Sequence, residues 1–135
     1  MPISERIRNL IDSSQLPLED YIKKIPTLTP EEFPDSVKLE DLASWSDYGQ
    51  KLRELLQKAG LTKHQRATVT LILTSTSEVG EDRLTVGNIR ELSLNDLFKL
   101  KPSFSSTVFG KPGDRSLQIL KTLCGSKEEE RVPVN

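Results

Sequence analysis

Leucine and isoleucine residues recur at helical spacing along the chain between residues 37 and 125. One example is the segment from Gln50 to Ala59, in which Leu52, Leu55 and Leu56 fall on one face of a helix. Gly60 follows at the position where a residue with left-handed backbone closes many helices. The pattern therefore predicts a helix over residues 50–59 that ends at Gly60.

The next segment begins with Thr62 and Gln65, which have the spacing of a capping box. This spacing predicts that a second helix begins at Thr62. Its continuation over residues 67–74 is rich in β-branched residues and alternates apolar with polar positions, so a strand is a genuine alternative. We favour the helix because the cap is specific and no partner strand is evident in the sequence.

Three further segments have the pattern of short capped helices, with their caps at Thr85, at Ser93, and at Asp114 or Ser116. The last helix is predicted to run through Leu117, Ile119, Leu120 and Leu123 and to end at Gly125. Residues 101–113 contain prolines, glycines and a Ser-Ser-Thr run, which predicts a long loop between the last two helices.

Prolines interrupt the first 36 residues, so only short helices are expected there, one after Ser4 and one from Leu18 to Ile25. The C-terminal residues contain three consecutive glutamates and little to bury, which predicts a disordered acidic tail. We therefore expect an N-terminal helical arm over residues 1–36, a compact helical domain over 37–125, and the tail over 126–135. The predicted fold class is all-α, a compact bundle of short helices.

The chemistry available to this chain is limited. Cys124 and His64 are its only cysteine and histidine, which excludes an internal disulfide and the usual zinc cages. Cys124 ends an apolar run and is predicted to be a buried core residue, with a nucleophile as the less favoured alternative. No phosphate-binding or nucleophile motif is present, and the paired carboxylates lie in polar surroundings. We expect no enzyme activity, no metal and no cofactor.

The N-terminus lacks the apolar segment of a secretory signal, and no stretch approaches the ~20 apolar residues of a membrane span, so a cytoplasmic protein is expected. The whole chain has a net charge of −1, but its charge is distributed unevenly. Residues 1–50 have a net charge of −5, residues 51–127 of +6, and residues 128–135 of −2. This asymmetry indicates a basic working region, with chance variation among solvated helices as the alternative.

The glycine turn before the last helix has the form of an anion site. Gly113 opens the helix, whose first backbone amides and dipole attract an anion. Arg115 supplies a cation and Ser116 a hydroxyl, and Lys111 adds a second cation. Asp114 opposes this interpretation unless its carboxylate caps the helix. A plain turn between two packed helices is the alternative.

A second group of donors lies at the beginning of the helix after Gly60. Lys63, His64 and Arg66 follow one another closely there, and together they suit phosphate binding better than catalysis. The sequence therefore predicts two groups of phosphate-binding residues.

Three motifs, over residues 84–89, 92–100 and 113–123, resemble the C-terminal domain of the bacterial RNA polymerase α subunit, and the similarity covers residues 60–125. The resemblance implies a helix-hairpin-helix-like fold that binds the DNA minor groove and contacts transcription regulators. It implies phosphate contacts at Gly113, Arg115 and Ser116, and a groove contact at His64 helped by Arg66.

Two departures from that family bear on DNA binding. His64 stands where the family carries its principal minor-groove arginine, and Asp114 replaces the first lysine of its Gly-Lys-Lys-Ser motif. Both changes weaken the implied DNA contacts, whereas the implied fold does not depend on them.

Three classes of function are therefore expected. The first is a nucleic-acid-binding or transcription-associated module, with DNA or a protein of the transcription machinery as its partner. The second is a protein–protein adaptor that docks through the acidic arm or through Phe104 and Phe109, unless these phenylalanines fold back over the core. The third is a purely structural or oligomer-forming helical protein.

Overall fold

The computed structural model describes residues 18–105 and 112–126. Within these residues the chain forms seven α-helices, a 3₁₀ turn and one two-stranded antiparallel hairpin. In chain order the elements are α1 (Leu18–Lys24), α2 (Leu39–Ala43), α3 (Asp47–Lys58), α4 (Lys63–Ser75), β1 (Glu78–Val79), β2 (Asp82–Arg83), α5 (Val86–Glu91), α6 (Leu94–Lys99), the 3₁₀ turn (Lys101–Ser103) and α7 (Asp114–Cys124). The predicted mostly helical bundle is confirmed.

The last helix lies at the centre of the bundle. It packs against α1, α4, α5 and α6, while α2 packs against α3 and α4. Leu117, Leu120 and Leu123 of α7 are buried, at the helical spacing that the sequence predicted. Buried side chains from all seven helices join them in one hydrophobic cluster.

The predicted N-terminal arm shares this core. Tyr21, Leu28 and Phe33 are fully buried in the same cluster as the helices that follow. The backbone N–H of Leu28 donates to the carbonyl of Leu123 at 2.8 Å, so the segment after α1 is also tied to the end of α7. A boundary after residue 36 therefore does not separate two cores. The predicted helix after Ser4 and the tail from residue 127 lie outside the described residues.

Local backbone chemistry sets the connection between α3 and α4. Gly60 has φ +93° and ends α3, and its N–H and that of Leu61 donate to the carbonyls of Gln57 and Leu56 at 3.1 and 3.2 Å. Thr62 then caps α4 in the predicted capping box with Gln65. The segment after this cap is a helix, as favoured over the strand.

The caps of the next two helices also follow the sequence prediction. Thr85 accepts from the N–H of Asn88 at the beginning of α5, and Ser93 accepts from the N–H of Asp96 at the beginning of α6. The cap predicted for the last helix is wrong. Gly113 is the N-cap of α7, with no side-chain cap, because the carboxylate of Asp114 forms an ion pair with Lys101 instead.

The hairpin was not predicted. It turns at Gly80, which has φ +63°, and pairs Glu78 with Arg83. Its outer edge meets the segment after α6, since Ser105 donates from its N–H to the carbonyl of Glu78 at 3.0 Å. The beginning of the predicted loop is therefore ordered against the hairpin, and residues 106–111 lie outside the described residues.

Candidate nucleic-acid interface

The short connection between α3 and α4 brings four basic side chains together, and we call this group the cationic turn: Lys58, Lys63, His64 and Arg66. Lys58 is the last residue of α3, and the other three lie in the first turn of α4. The glycine end of α3 and the cap at Thr62 leave only residues 59–62 between the two helices. The cations are therefore held near one another by local structure.

The charges of the cationic turn face solvent. Lys58, Lys63 and His64 are exposed and Arg66 is half-buried. Within the described residues, ion pairs are formed by Arg83, Arg90 and Lys101 and by none of the four. Arg66 donates from Nη1 to the carbonyl of Leu61 at 2.9 Å, which holds its guanidinium at the turn. An anion can therefore approach these cations without displacing a carboxylate.

The sequence around the turn reinforces this positive charge. Residues 55–77 contain no aspartate or glutamate, and Glu54, one helical turn before Lys58, is the acid nearest in sequence. The prediction placed Lys63, His64 and Arg66 here and missed Lys58, which the acid-free run would have indicated. Clustered cations of this kind attract polyanions over distances of several ångströms.

The first turn of α7 carries the second predicted group. Gly113 is exposed and Ser116 is half-buried, and no side chain caps the helix, in contrast to α3, α4, α5 and α6. The guanidinium of Arg115 lies 5.8 Å from the ring centroid of Tyr21, and Lys101 contacts the carboxylate of Asp114. Part of the positive charge expected here therefore serves contacts within the protein.

The two groups lie on helices that pack against each other, since α4 contacts α7. The contacts of Arg66 are within its own turn, whereas those of Arg115 extend to α1. Lys111, the remaining predicted phosphate contact, lies outside the described residues. That the two groups bind phosphate stays a prediction.

The sequence predicts Phe104 as a partner contact, with folding over the core as the alternative. It is 0% exposed and belongs to the hydrophobic core, next to Val79 of the hairpin. The expectation of an exposed phenylalanine is therefore wrong at this position, because the antiparallel bridge with Val79 places Phe104 within the core cluster. Phe109 lies outside the described residues.

Two other basic residues of the predicted basic region serve the fold. Arg90 is 1% exposed, and its guanidinium donates to the carbonyls of Cys124 and Leu28 at 2.9 Å each and to Asp35 Oδ1 at 2.6 Å. These acceptors come from α7 and from the segment after α1. Arg90 therefore joins three parts of the chain and is not available to a ligand.

Lys121 extends the same arrangement from α7. Its Nζ donates to the carbonyls of Ile89 and Arg90 at 2.8 and 3.2 Å, and also to that of Leu92. These carbonyls lie at the C-terminal end of α5, where cations are favoured by unpaired carbonyls and the helix dipole. We call Arg90 and Lys121 with these acceptors the Arg90–Lys121 cluster.

The lone cysteine lies beside this cluster. Cys124 is buried, and burial raises the pKa of its thiol from 9.0 to about 12, although the charges of Arg90 and Lys121 oppose the shift. The thiol is therefore neutral at physiological pH, and the predicted core position is confirmed. Among the described residues, no group of three histidine, cysteine, aspartate or glutamate side chains is arranged to hold a metal ion.

One exposed residue was missed by the sequence prediction. Trp45, between α2 and α3, is 77% exposed, and the guanidinium of Arg53 lies 4.2 Å from its ring centroid. Its immediate neighbours Ser44, Ser46 and Asp47 are polar, a pattern that would have indicated exposure.

Comparison with protein-family models, with curated proteins and with solved structures finds no match to this chain. Within residues 18–105 and 112–126, no helix is both long and apolar enough to cross a membrane.

Proposed function

We propose that the protein binds nucleic acid through the cationic turn, with the first turn of α7 as a second phosphate contact. The observation that carries this proposal is the set of basic side chains at the α3–α4 connection, of which Lys58 and Lys63 are exposed cations and none has an ion-pair partner among the described residues. Phosphate groups are the natural ligands of such a set, because neutralising them releases condensed counterions.

The first turn of α7 supports a secondary role. Its amides face the N-terminal end of the helix without a side-chain cap, which favours a phosphate there. The carboxylate of Asp114 opposes an anion, but its ion pair with Lys101 partly offsets that charge. We therefore expect the cationic turn to contribute more affinity than α7.

The order of the elements supports a helix-hairpin-helix-like module. Two short capped helices, α5 and α6, precede the glycine turn and α7, as the resemblance implies. Within this proposal, Arg115 and Ser116 position a phosphate, and His64 takes the place nearest the bases.

The adaptor alternative has lost part of its support because Phe104 is buried. A protein that binds no nucleic acid at any salt concentration would restore it as the leading hypothesis.

A salt titration tests the proposal. The anisotropy of labelled single- and double-stranded oligonucleotides is measured with increasing salt, and log affinity should fall linearly with log salt, with a slope of about −0.7 to −0.9 for each phosphate neutralised. The Lys58→Gln, Lys63→Gln double variant should make this slope shallower by about 1.4 to 1.8 because two phosphate contacts are lost.

The matched control is the Lys23→Gln, Lys24→Gln double variant, which removes the same charge from exposed positions on α1. It should keep the slope of the unmodified protein. No binding at low salt, or equal slopes for the two double variants, would overturn the proposal.

A further inference from the structure

Trp45 stands apart from the other aromatic residues of the described chain. It is the only tryptophan in the sequence, and at 77% exposure it is the most exposed large hydrophobic side chain within residues 18–105 and 112–126. An exposed ring of this size offers a large face on which a ligand can stack.

Arg53 holds the ring in place from one side. Its guanidinium carbon lies 4.2 Å from the ring centroid, and its Nη2 donates to the carbonyls of Ser44 at 2.9 Å and Ala43 at 3.5 Å. These carbonyls lie at the C-terminal end of α2, so hydrogen bonds fix the guanidinium of Arg53 on which the ring of Trp45 stacks. One face of Trp45 is covered by this cation, and the exposed surface belongs to the rest of the ring.

Arg53 also has a donor that lacks an acceptor. Its Nη1 is buried and has no hydrogen-bond partner. A buried donor without a partner is unfavourable, so a rearrangement on binding that gives Nη1 an acceptor would stabilise the complex.

One flank of α3 connects Trp45 with the cationic turn. Gln50, Arg53 and Gln57 follow one another at helical spacing on this flank and carry no negative charge. The neighbouring stripe of α3 is mixed, since the acids Asp47 and Glu54 alternate there with Lys51 and Lys58. At a rise of about 1.5 Å per residue, the flank from Gln50 to Gln57 spans about 11 Å.

We propose that Trp45 stacks on an unpaired base of single-stranded nucleic acid, whose backbone follows this flank of α3 to the cationic turn. The inference rests on the proposed function and deepens it. Aromatic platforms beside cationic tracks are the usual means of binding single strands, because every base has a face that can stack. A base within a duplex is already stacked on both faces and cannot reach the ring.

The surroundings of Trp45 favour this ligand over a protein. A tryptophan at the centre of a protein interface is normally surrounded by other apolar residues, whereas Ser44 and Ser46 flank this one in sequence and Gln50 donates to its carbonyl at 3.3 Å. The flank of α3 carries the charge of Arg53 and no acid, so it does not repel a polyphosphate backbone.

Intrinsic fluorescence provides a direct test, because Trp45 is the sole tryptophan. The protein is titrated at low salt with a single-stranded oligothymidylate and, separately, with a duplex. Stacking should quench the emission of Trp45 to a saturable limit with the single strand, whereas the duplex should leave it nearly unchanged. Affinity for a labelled single strand should fall about tenfold in Trp45→Ala and much less in Trp45→Phe, which retains a ring.

Trp45→Ala should keep the fold because the side chain is exposed, and circular dichroism checks this. If the labelled single strand binds with the expected salt slope but leaves the emission of Trp45 and the affinity of Trp45→Ala unchanged, the stacking inference is overturned while the proposed function stands. If neither nucleic acid binds, both fail, and the exposed ring is assigned to a protein contact.

Discussion

The Arg90–Lys121 cluster and the cationic turn are both basic, yet the chain uses them in opposite ways. Arg90 is buried and donates to acceptors in three segments, and Lys121 donates to carbonyls at the end of α5. Lys58 and Lys63, in contrast, are exposed and have no ion-pair partner among the described residues. A count of basic residues therefore overstates the charge available to a ligand.

The difference follows from the acceptors that each region offers. A buried guanidinium is tolerated only where hydrogen bonds replace its hydration, and the carbonyls of Leu28 and Cys124 supply them near Arg90. At the cationic turn, the Gly60 motif and the Thr62 cap already satisfy the helix ends. Apart from that of Arg66, the side chains there serve no structural acceptor among the described residues and remain exposed.

The largest effect is expected from removing Arg90. Arg90→Met should lower the free energy of unfolding by roughly 2–5 kcal/mol, because two buried carbonyls lose their donors at about 1–3 kcal/mol each. Urea denaturation measures the change. Arg83→Met is the matched control, because Arg83 is 52% exposed and pairs with Glu40 and Glu78 at the surface. Equal destabilisation of the two variants would contradict a structural role specific to Arg90.

A smaller effect is expected where α5 meets the segment that carries Asp35. A Cβ at Gly87 would lie 2.5 Å from the Cβ of Asp35 and 3.0 Å from its carbonyl oxygen, so Gly87→Ala should destabilise the fold by about 1–3 kcal/mol. Gly113 offers the control, since its added Cβ meets nothing within 4 Å. Thermal unfolding should place Gly113→Ala near the unmodified protein, and a Gly87→Ala variant of equal stability would show that the two segments are not tightly joined.

The parts of the fold that the sequence predicted are those fixed by near neighbours. Gly60 and Thr62 act through hydrogen bonds to residues within five positions along the chain, so their roles were visible in the spacing alone. The burial of Arg90 was not visible, because its partners Leu28, Asp35 and Cys124 are distant in sequence. The sharing of one core by the N-terminal segment depends on the same long-range contacts.

The residues of the candidate site show the same difference between local and long-range contacts. Lys63 and His64 are exposed where the prediction placed them, because a capped first turn leaves long polar side chains in solvent. The contact of Arg115 with Tyr21 was not predicted, nor was the ion pair of Lys101 with Asp114, since each joins elements that only the tertiary fold brings together.

A crossed comparison of Lys63→Gln with Lys121→Gln tests the central claim most directly, with salt-dependent oligonucleotide binding and urea denaturation measured on both variants. Lys63→Gln should make the log–log salt slope shallower by about 0.7–0.9 and leave the free energy of unfolding unchanged. Lys121→Gln should lower the free energy of unfolding by roughly 1–3 kcal/mol and keep the slope. A shallower slope in Lys121→Gln, or an unchanged slope in Lys63→Gln, would contradict the division between structural and ligand-facing cations.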